Sequence, residues 1–312
     1  MHPLLVVGSV AFDTIHNPLG THPRILGGSA VFASLAASHF APVRLVGVVG
    51  RDYPDDALRM LRERRIDLEG LEVVEGRTFH WEGRYSDDLT SRTSLCTELN
   101  VFADFHPKIP AGFRDTPYVM LGNIAPELQL EVLDQISAPQ LIVTDTMNFW
   151  IEGRLEALEQ VLGRTHLLVI NEEEARQLAG VHNIARVARH LLALGPKTAI
   201  IKRGEYGALM FQGDQTFSVP GFPVDEVRDP TGAGDAFAGG LLGYVASQGN
   251  LRPNTLRRAV VYGSALASFC VEEMGVEGLL GLDDARIDER FWAFRKLAHF
   301  ATDEEVAIGA DA

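Results

Sequence analysis

The sequence predicts an α/β fold of three layers, a mostly parallel central sheet between helices, with a small β-sheet inserted into it. Three observations carry that expectation. From Pro117 onward short aliphatic runs alternate with amphipathic stretches, the rhythm of successive βα units. Between Thr78 and Phe102 the rhythm stops, and polar and aromatic residues flank a turn at Ser86-Asp87-Asp88, as in an exposed hairpin. Asp229 to Tyr244 reads DPTGAGDAFAGGLLGY, a glycine-rich turn that opens into a helix.

Taken in order, Leu4–Val10 is aliphatic enough for a buried strand, and Asp13 follows it. An acid just past a strand is a turn residue or, at the ligand-binding edge of an open sheet, a ligand residue. Asn17–Ile25 reads as loop, and the Gly27-Gly28 pair turns the chain into a small-residue helix, Ser29–His39. A strand is expected at Val43–Val49, a helix at Pro54–Arg65 and a short strand at Leu71–Val74. The interlude then presents Trp81, Arg84, Tyr85 and Phe102. Strands Tyr118–Leu121, Leu141–Asp145, Leu167–Ile170 and Ala199–Lys202 alternate with helices Glu127–Ile136, Glu152–Leu162, Glu172–Ala179 and Val181–Leu194. Polar residues close these strands: Asn123, Asp145 with Asn148, Asn171, and Lys202 with Arg203. Their repetition at one sheet edge points to a binding edge. A hairpin through Gln212–Gln215, a small-residue helix Thr255–Glu273 and an amphipathic helix Phe291–Phe300 complete the chain, with an acidic frayed tail at 302–312.

The 312 residues are 46% apolar and 22% charged, the profile of a soluble globular protein. Net charge is −14, from 28 basic and 42 acidic side chains, which argues against nonspecific binding to nucleic acid or an anionic membrane. Cys96 and Cys270 stand far apart, so reduced thiols and a cytoplasmic location are expected. The start MHPLLVVGSV shows no basic region or cleavage site of a signal peptide. There is no Gly-Lys dipeptide and hence no P-loop; G-x-S-x-G, H-E-x-x-H and Cys-rich metal patterns are also missing.

The Asp229–Tyr244 stretch carries the chemistry. A glycine-rich turn into a helix leaves backbone N–H groups free, and the helix dipole adds partial positive charge, so phosphate is the obvious occupant. Asp235 stands in the first turn beside that anion. A carboxylate there repels phosphate, which gives it a chemical task; the blander reading is a helix start that serves packing.

The run D-P-T-G-A-G-D-A-F-A-G-G resembles the C-terminal signature of the ribokinase-like, or phosphofructokinase-B, family of carbohydrate and nucleoside kinases. Nearly the whole chain follows the family order. The resemblance implies one ribokinase-like domain over 1–312 with a lid inserted at about 11–26 and 76–105. It implies ATP-dependent transfer of the γ-phosphoryl group to an alcohol, with Asp235 as base and Gly232, Ala233 and Gly234 as anion hole. Asp13, Gly27, Gly28, Phe32, Arg84, Asn123 and Asn148 would line the acceptor site. Asn171, Lys202, Gly204 and Gly207 would serve the nucleotide. The N-x-x-E pair Asn171 and Glu174 would bind Mg2+ indirectly, and Asp229 with Thr231 would help hold K+. Phe32 departs from the family pattern, which has an asparagine there. A small sugar or polyol is the expected acceptor and a nucleoside the alternative, favoured by Phe32, Trp81 and Phe149-Trp150. A catalytically silent nucleotide-binding regulator is the reading of another class. A homodimer through the lid sheet is the expected assembly.

Overall fold

The computed structural model describes residues 1–299. In chain order the strands are β1 (Leu4–Val7), β2 (Ala11–Asn17), β3 (Gly20–Gly27), β4 (Val43–Gly50), β5 (Ile66–Val74), β6 (Phe79–Tyr85) and β7 (Arg92–Glu98). They continue as β8 (Tyr118–Leu121), β9 (Leu141–Asp145), β10 (Leu167–Asn171), β11 (Thr198–Lys202), β12 (Ala208–Gln212) and β13 (Gln215–Val219). Nine form one sheet, ordered β13-β12-β11-β10-β9-β8-β1-β4-β5, and four form a second, ordered β3-β2-β6-β7. The large sheet is parallel except where β12 runs back against β11 and β13 against β12.

β1 is buried along its whole length because it is apolar on both faces. Leu4 and Val6 join one core, Leu5 and Val7 the other, as the two-residue period of a strand requires. On the first face lie helices Ser29–Ser38, Ala233–Gln248 and Pro253–Cys270. Their small residues permit close approach: a methyl group on Gly239 would sit 2.1 Å from Ala33 O. Helices Pro126–Gln135, Leu155–Leu162 and Ile184–Ala193 cover the other face through Val132, Leu158 and Val187. β1 lies between β8 and β4, pairing Val6 with Met120 and with Leu45. Strand order therefore reverses beside β1, and a crevice at the strands' C-terminal ends follows from that topology.

The α/β architecture with a separate small sheet is as the sequence led us to expect; several boundaries differ. Asn17–Ile25, expected as loop, holds the end of β2 and most of β3, which pairs antiparallel with β2. Most of β3 is exposed or half-exposed, so it lacks the apolar alternation that marks a half-buried strand. β5 begins at Ile66 rather than Leu71, with Ile66, Leu68 and Gly70 buried and Asp67 and Glu69 exposed. The expected helix Glu152–Leu162 is two, Asn148–Gly153 and Leu155–Leu162, broken where Arg154 leaves the helical region (φ −143). Helix Ile184–Ala193 starts after Asn183, whose Oδ1 accepts the Arg186 N–H at 3.1 Å. The last helix, Asp284–Ala298, starts seven residues ahead of its expected position at Phe291, with Asp283 as its N-cap. The expected frayed tail at 302–312 lies outside the described residues.

Candidate active site

The loop before helix Ala233–Gln248 is shaped by two contacts. Gly232 has φ 75, a left-handed conformation open to glycine. A methyl group there would lie 2.3 Å from the Phe32 ring. Phe32, 1% exposed, thus packs beneath the turn and is no open stacking surface for an acceptor. Asp229 is fully buried; its Oδ1 accepts the Thr231 N–H and its Oδ2 the Gly275 N–H, both at 2.9 Å. That leaves each oxygen one further lone pair for a monovalent cation. The helix has no side-chain N-cap bond. Ala233 N–H turns back to Pro230 O at 3.3 Å, so the N–H groups of Gly232 and Gly234 are the freer pair for an anion.

Asp235 stands in the first turn. Its Oδ1 is buried and has no hydrogen-bond partner among the described residues. Burial, then the negative charge of Asp145, push its pKa up to about 7, against the pull of Lys202 and Arg92. Asp13 behaves alike: burial, then Asp229 and Asp235, raise it to about 7, opposed by Arg92 and the Gly28 N–H. The glycine pair makes room here, since a methyl group on Gly27 would fall 2.0 Å from Asp13 Oδ2 and one on Gly28 (φ 94) 2.4 Å from Ser9 O.

Beyond Asp235 the ends of β9, β10 and β11 contribute a charged cluster. Lys202 Nζ lies 3.4 Å from Asp145 Oδ1. A methyl group on Gly234 would fall 2.7 Å from the same Nζ, so the ammonium lies against the glycine loop. Burial works against that ammonium, but Asp145, Glu174 and Asp235 outweigh it and raise its pKa. Asn171 and Glu174 form a capping box: Asn171 Oδ1 accepts the Glu174 N–H at 2.8 Å and Glu174 Oε2 accepts the Asn171 N–H at 3.2 Å. Glu174 is raised to about 7, by burial first; Lys202 opposes this and Asp145 adds to it. Asp145, Glu174 and Asp235 thus share one half-buried lysine, a surplus of negative charge that a cation would relieve. Among the described residues no three acidic, His or Cys side chains gather as a metal cage.

The small sheet brings two side chains to the site: Tyr85, which the sequence offered as a covering residue, and Arg92, which it did not single out. Tyr85 OH shares a hydrogen bond with Thr231 Oγ1 at 2.8 Å, tying β6 to the glycine loop. Arg92, directly across the hairpin from Tyr85, lies over the Trp81 ring at 5.8 Å and bears electrostatically on Asp13, Glu174 and Asp235. Arg84, expected to reach inward, is exposed, because strand alternation turns it away from the face of Gly83 and Tyr85. The hairpin register was the signal that could have found Arg92. Asn123 receives the Trp150 Nε1–H at 2.8 Å and approaches Met147 Sδ at 3.2 Å, while Asn148 is exposed. Gly204 (φ 55) and Gly207 (φ 89) flank a single 3-10 turn, with a methyl group at Gly207 excluded by Val219 O at 2.1 Å. Arg203 pairs with Glu172 at 2.7 Å rather than standing free for phosphate.

Known proteins are similar to this chain. Residues 1–280 match the pfkB family carbohydrate kinase model. The cytidine kinase of Thermococcus kodakarensis is 32% identical over 251 residues, 78% of this chain and 89% of that one. The aminoimidazole riboside kinase of Salmonella typhimurium is 31% identical over 316 residues, 91% and 93% of the two. An E. coli protein assigned as ribokinase II, crystallised with ATP and Mg2+, superposes with a TM-score of 0.77 at 20% identity over 94% of this chain and all of its own; that likeness speaks for the fold.

Proposed function

This chain belongs to the pfkB family of carbohydrate kinases and is a phosphotransferase with an alcohol group as acceptor, and from that premise we propose that it transfers the γ-phosphoryl group of ATP to a sugar hydroxyl of a nucleoside. The observation that carries phosphoryl transfer is Asp235: a half-buried carboxylate whose Oδ1 is buried and unpartnered among the described residues, at the mouth of a helix opened by Gly232-Ala233-Gly234. Held near neutrality, it accepts the acceptor's proton and orients the hydroxyl. Because phosphoryl transfer passes through a loose transition state, positioning contributes most and proton removal comes late. The free loop N–H groups and Lys202 stabilise charge on the transferring group. Asp13 takes a hydrogen bond from a second acceptor hydroxyl. Asn171 and Glu174 would hold hydrated Mg2+, which supplies charge neutralisation to the phosphates.

A nucleoside is favoured over a free sugar by two relatives that carry nucleoside names at above 30% identity. Trp81, stacked with Arg92 and hydrogen-bonded to Ser94 Oγ at 3.0 Å, and Trp150, fixed to Asn123, offer rings for a base. The test is acceptor-dependent ADP production with cytidine, adenosine, inosine, ribose, fructose and glycerol. We expect kcat/KM for the best nucleoside to exceed that for any free sugar by about 100-fold or more. A free sugar used equally well removes the nucleoside assignment and leaves the kinase intact.

The proposal includes a homodimer joined through the small sheet and work in the cytoplasm. All seven residues of edge strand β7 are exposed, and an open strand edge invites pairing. Light scattering should give about twice the 34.1 kDa chain mass; a monomer at micromolar concentration defeats the dimer alone. Two free thiols, Cys96 exposed and Cys270 buried, suit a reducing compartment. Among the described residues no helix is long and apolar enough to cross a membrane.

A further inference from the structure

Lys202 ends β11 and Asp145 ends β9, with β10 between them. Reaching Asp145 therefore requires the lysine to cross two strand spacings, about 9–10 Å, along the C-terminal edge of the sheet. Asp145 is 5% exposed, and its place is fixed from behind: Gln129 Nε2, fully buried, donates to Asp145 O at 3.1 Å and to Gly122 O at 2.9 Å. Asp145 Oδ1 faces Lys202 Nζ at 3.4 Å, and that Nζ is the atom that lies against Gly234. An unanchored lysine of this length would sample many rotamers, and each would move its charge away from the loop.

We propose that Asp145 is a positioning residue that acts through Lys202, holding its ammonium against the glycine loop where the transferring phosphoryl group arrives. The inference rests on the kinase reading and extends it to a residue that touches neither substrate in that reading. A half-buried ammonium with a preset partner loses little entropy when the anion comes, and its charge is in place before the reaction begins. Asp145 and Lys202 also bear on Asp235 with opposite sign. The groups that face Asp235 are Asp145 from β9, Lys202 from β11, Arg92 from β7, Asp13 from β2 and Cys270 from helix Pro253–Cys270, with Glu174 coupled to the Lys202–Asp145 pair.

The experiment is a double-mutant cycle of D145N, K202M and D145N/K202M, scored by kcat, by KM for ATP and acceptor, and by the pH profile of kcat. D145N alone should lower kcat by about tenfold or more with acceptor KM within about twofold of wild type. In the K202M background the same change should cost less than about twofold, because the residue through which it acts is gone. D145E, which restores the charge, should recover part of the loss. Lys202 lowers the pKa of Asp235, so the acid limb, near pH 7 in wild type, moves to higher pH in K202M. Losses that add across the cycle overturn the proposal. Should D145N fail to fold, K202M against K202M/D145E carries the comparison, with equal kcat expected and a further tenfold drop overturning. Wild-type turnover is the control for the kinase reading; if wild type makes no ADP with any acceptor, that reading fails and the same cycle is scored by the shift in Tm on adding MgATP, again non-additive if Asp145 acts through Lys202.

Discussion

Asp235→Asn should bind ATP about as wild type does and lose phosphoryl transfer by two orders of magnitude or more, about the worth of a positioned general base. The substitution keeps the shape of the side chain and removes the acceptor for the hydroxyl proton. Loss of ATP affinity is not expected, since the loop N–H groups and Lys202 remain. Stability moves the other way. The folded-state pKa of Asp235, about 7, lies above its ordinary value of 3.8. Between these values the folded protein holds a proton that the unfolded chain releases, so stability falls as pH rises through that window, and the whole penalty is present above pH 7. Asparagine carries no such penalty, so Tm of the variant at pH 8 should exceed wild type by at least about 2 °C. The gain should shrink at pH 5, where the wild-type carboxyl is itself protonated. Calorimetry at both pH values and an ADP-release assay check the pair of outcomes. Turnover within tenfold of wild type would sink the assignment of the base.

The second large effect is expected at Gly232. Alanine there meets two obstacles: a positive φ of 75 and a methyl group 2.3 Å from a ring that is 1% exposed. Either the loop shifts or Phe32 does, and Phe32 is enclosed by packed helices with little space to yield. A loop displaced by an ångström misplaces the N–H groups that the phosphoryl group needs, at a cost of about 100-fold in kcat. Gly232→Ala should therefore lower kcat by that factor and Tm by several degrees, about 2–4 °C per kcal/mol of lost stability. Adding Phe32→Leu should return part of the Tm loss, because it removes the steric part and leaves the torsional part. If Phe32→Leu restores nothing, the ring is not what constrains the loop.

How much of this could be read without coordinates follows from where each signal lives. The buried strands declared themselves through apolar runs, and Asn123, Asp145, Asn171 and Lys202 fell at one sheet edge because parallel strands present their C-terminal ends together. The Gly232–Asp235 run was legible for the same local reason, since a turn, a helix start and a carboxylate are consecutive in the chain. What escaped was set by pairing rather than by pattern. β3 is polar and borrows its structure from β2. Arg92 reaches the site, while Arg84 is turned outward, because of one step in hairpin register that composition does not encode. Phe32 looked like a surface for a ligand; only the packing of helix Ser29–Ser38 beneath Gly232 shows that it supports the loop instead. Asp145 was visible as a polar strand end, but its link to Lys202 spans fifty-seven positions in sequence and an intervening strand.

The hydrogen bond between Tyr85 and Thr231 joins the sheet that would cover the acceptor to the loop that would receive the phosphoryl group. Two sites joined in this way share a free energy, so whatever one ligand does to the other's affinity is returned in equal measure. An acceptor that draws the sheet down would steady the loop for ATP, and ATP that steadies the loop would hold the sheet down on the acceptor. Commitment to reaction would then be shared between the two substrates, each lowering the free energy of the closure that the other requires.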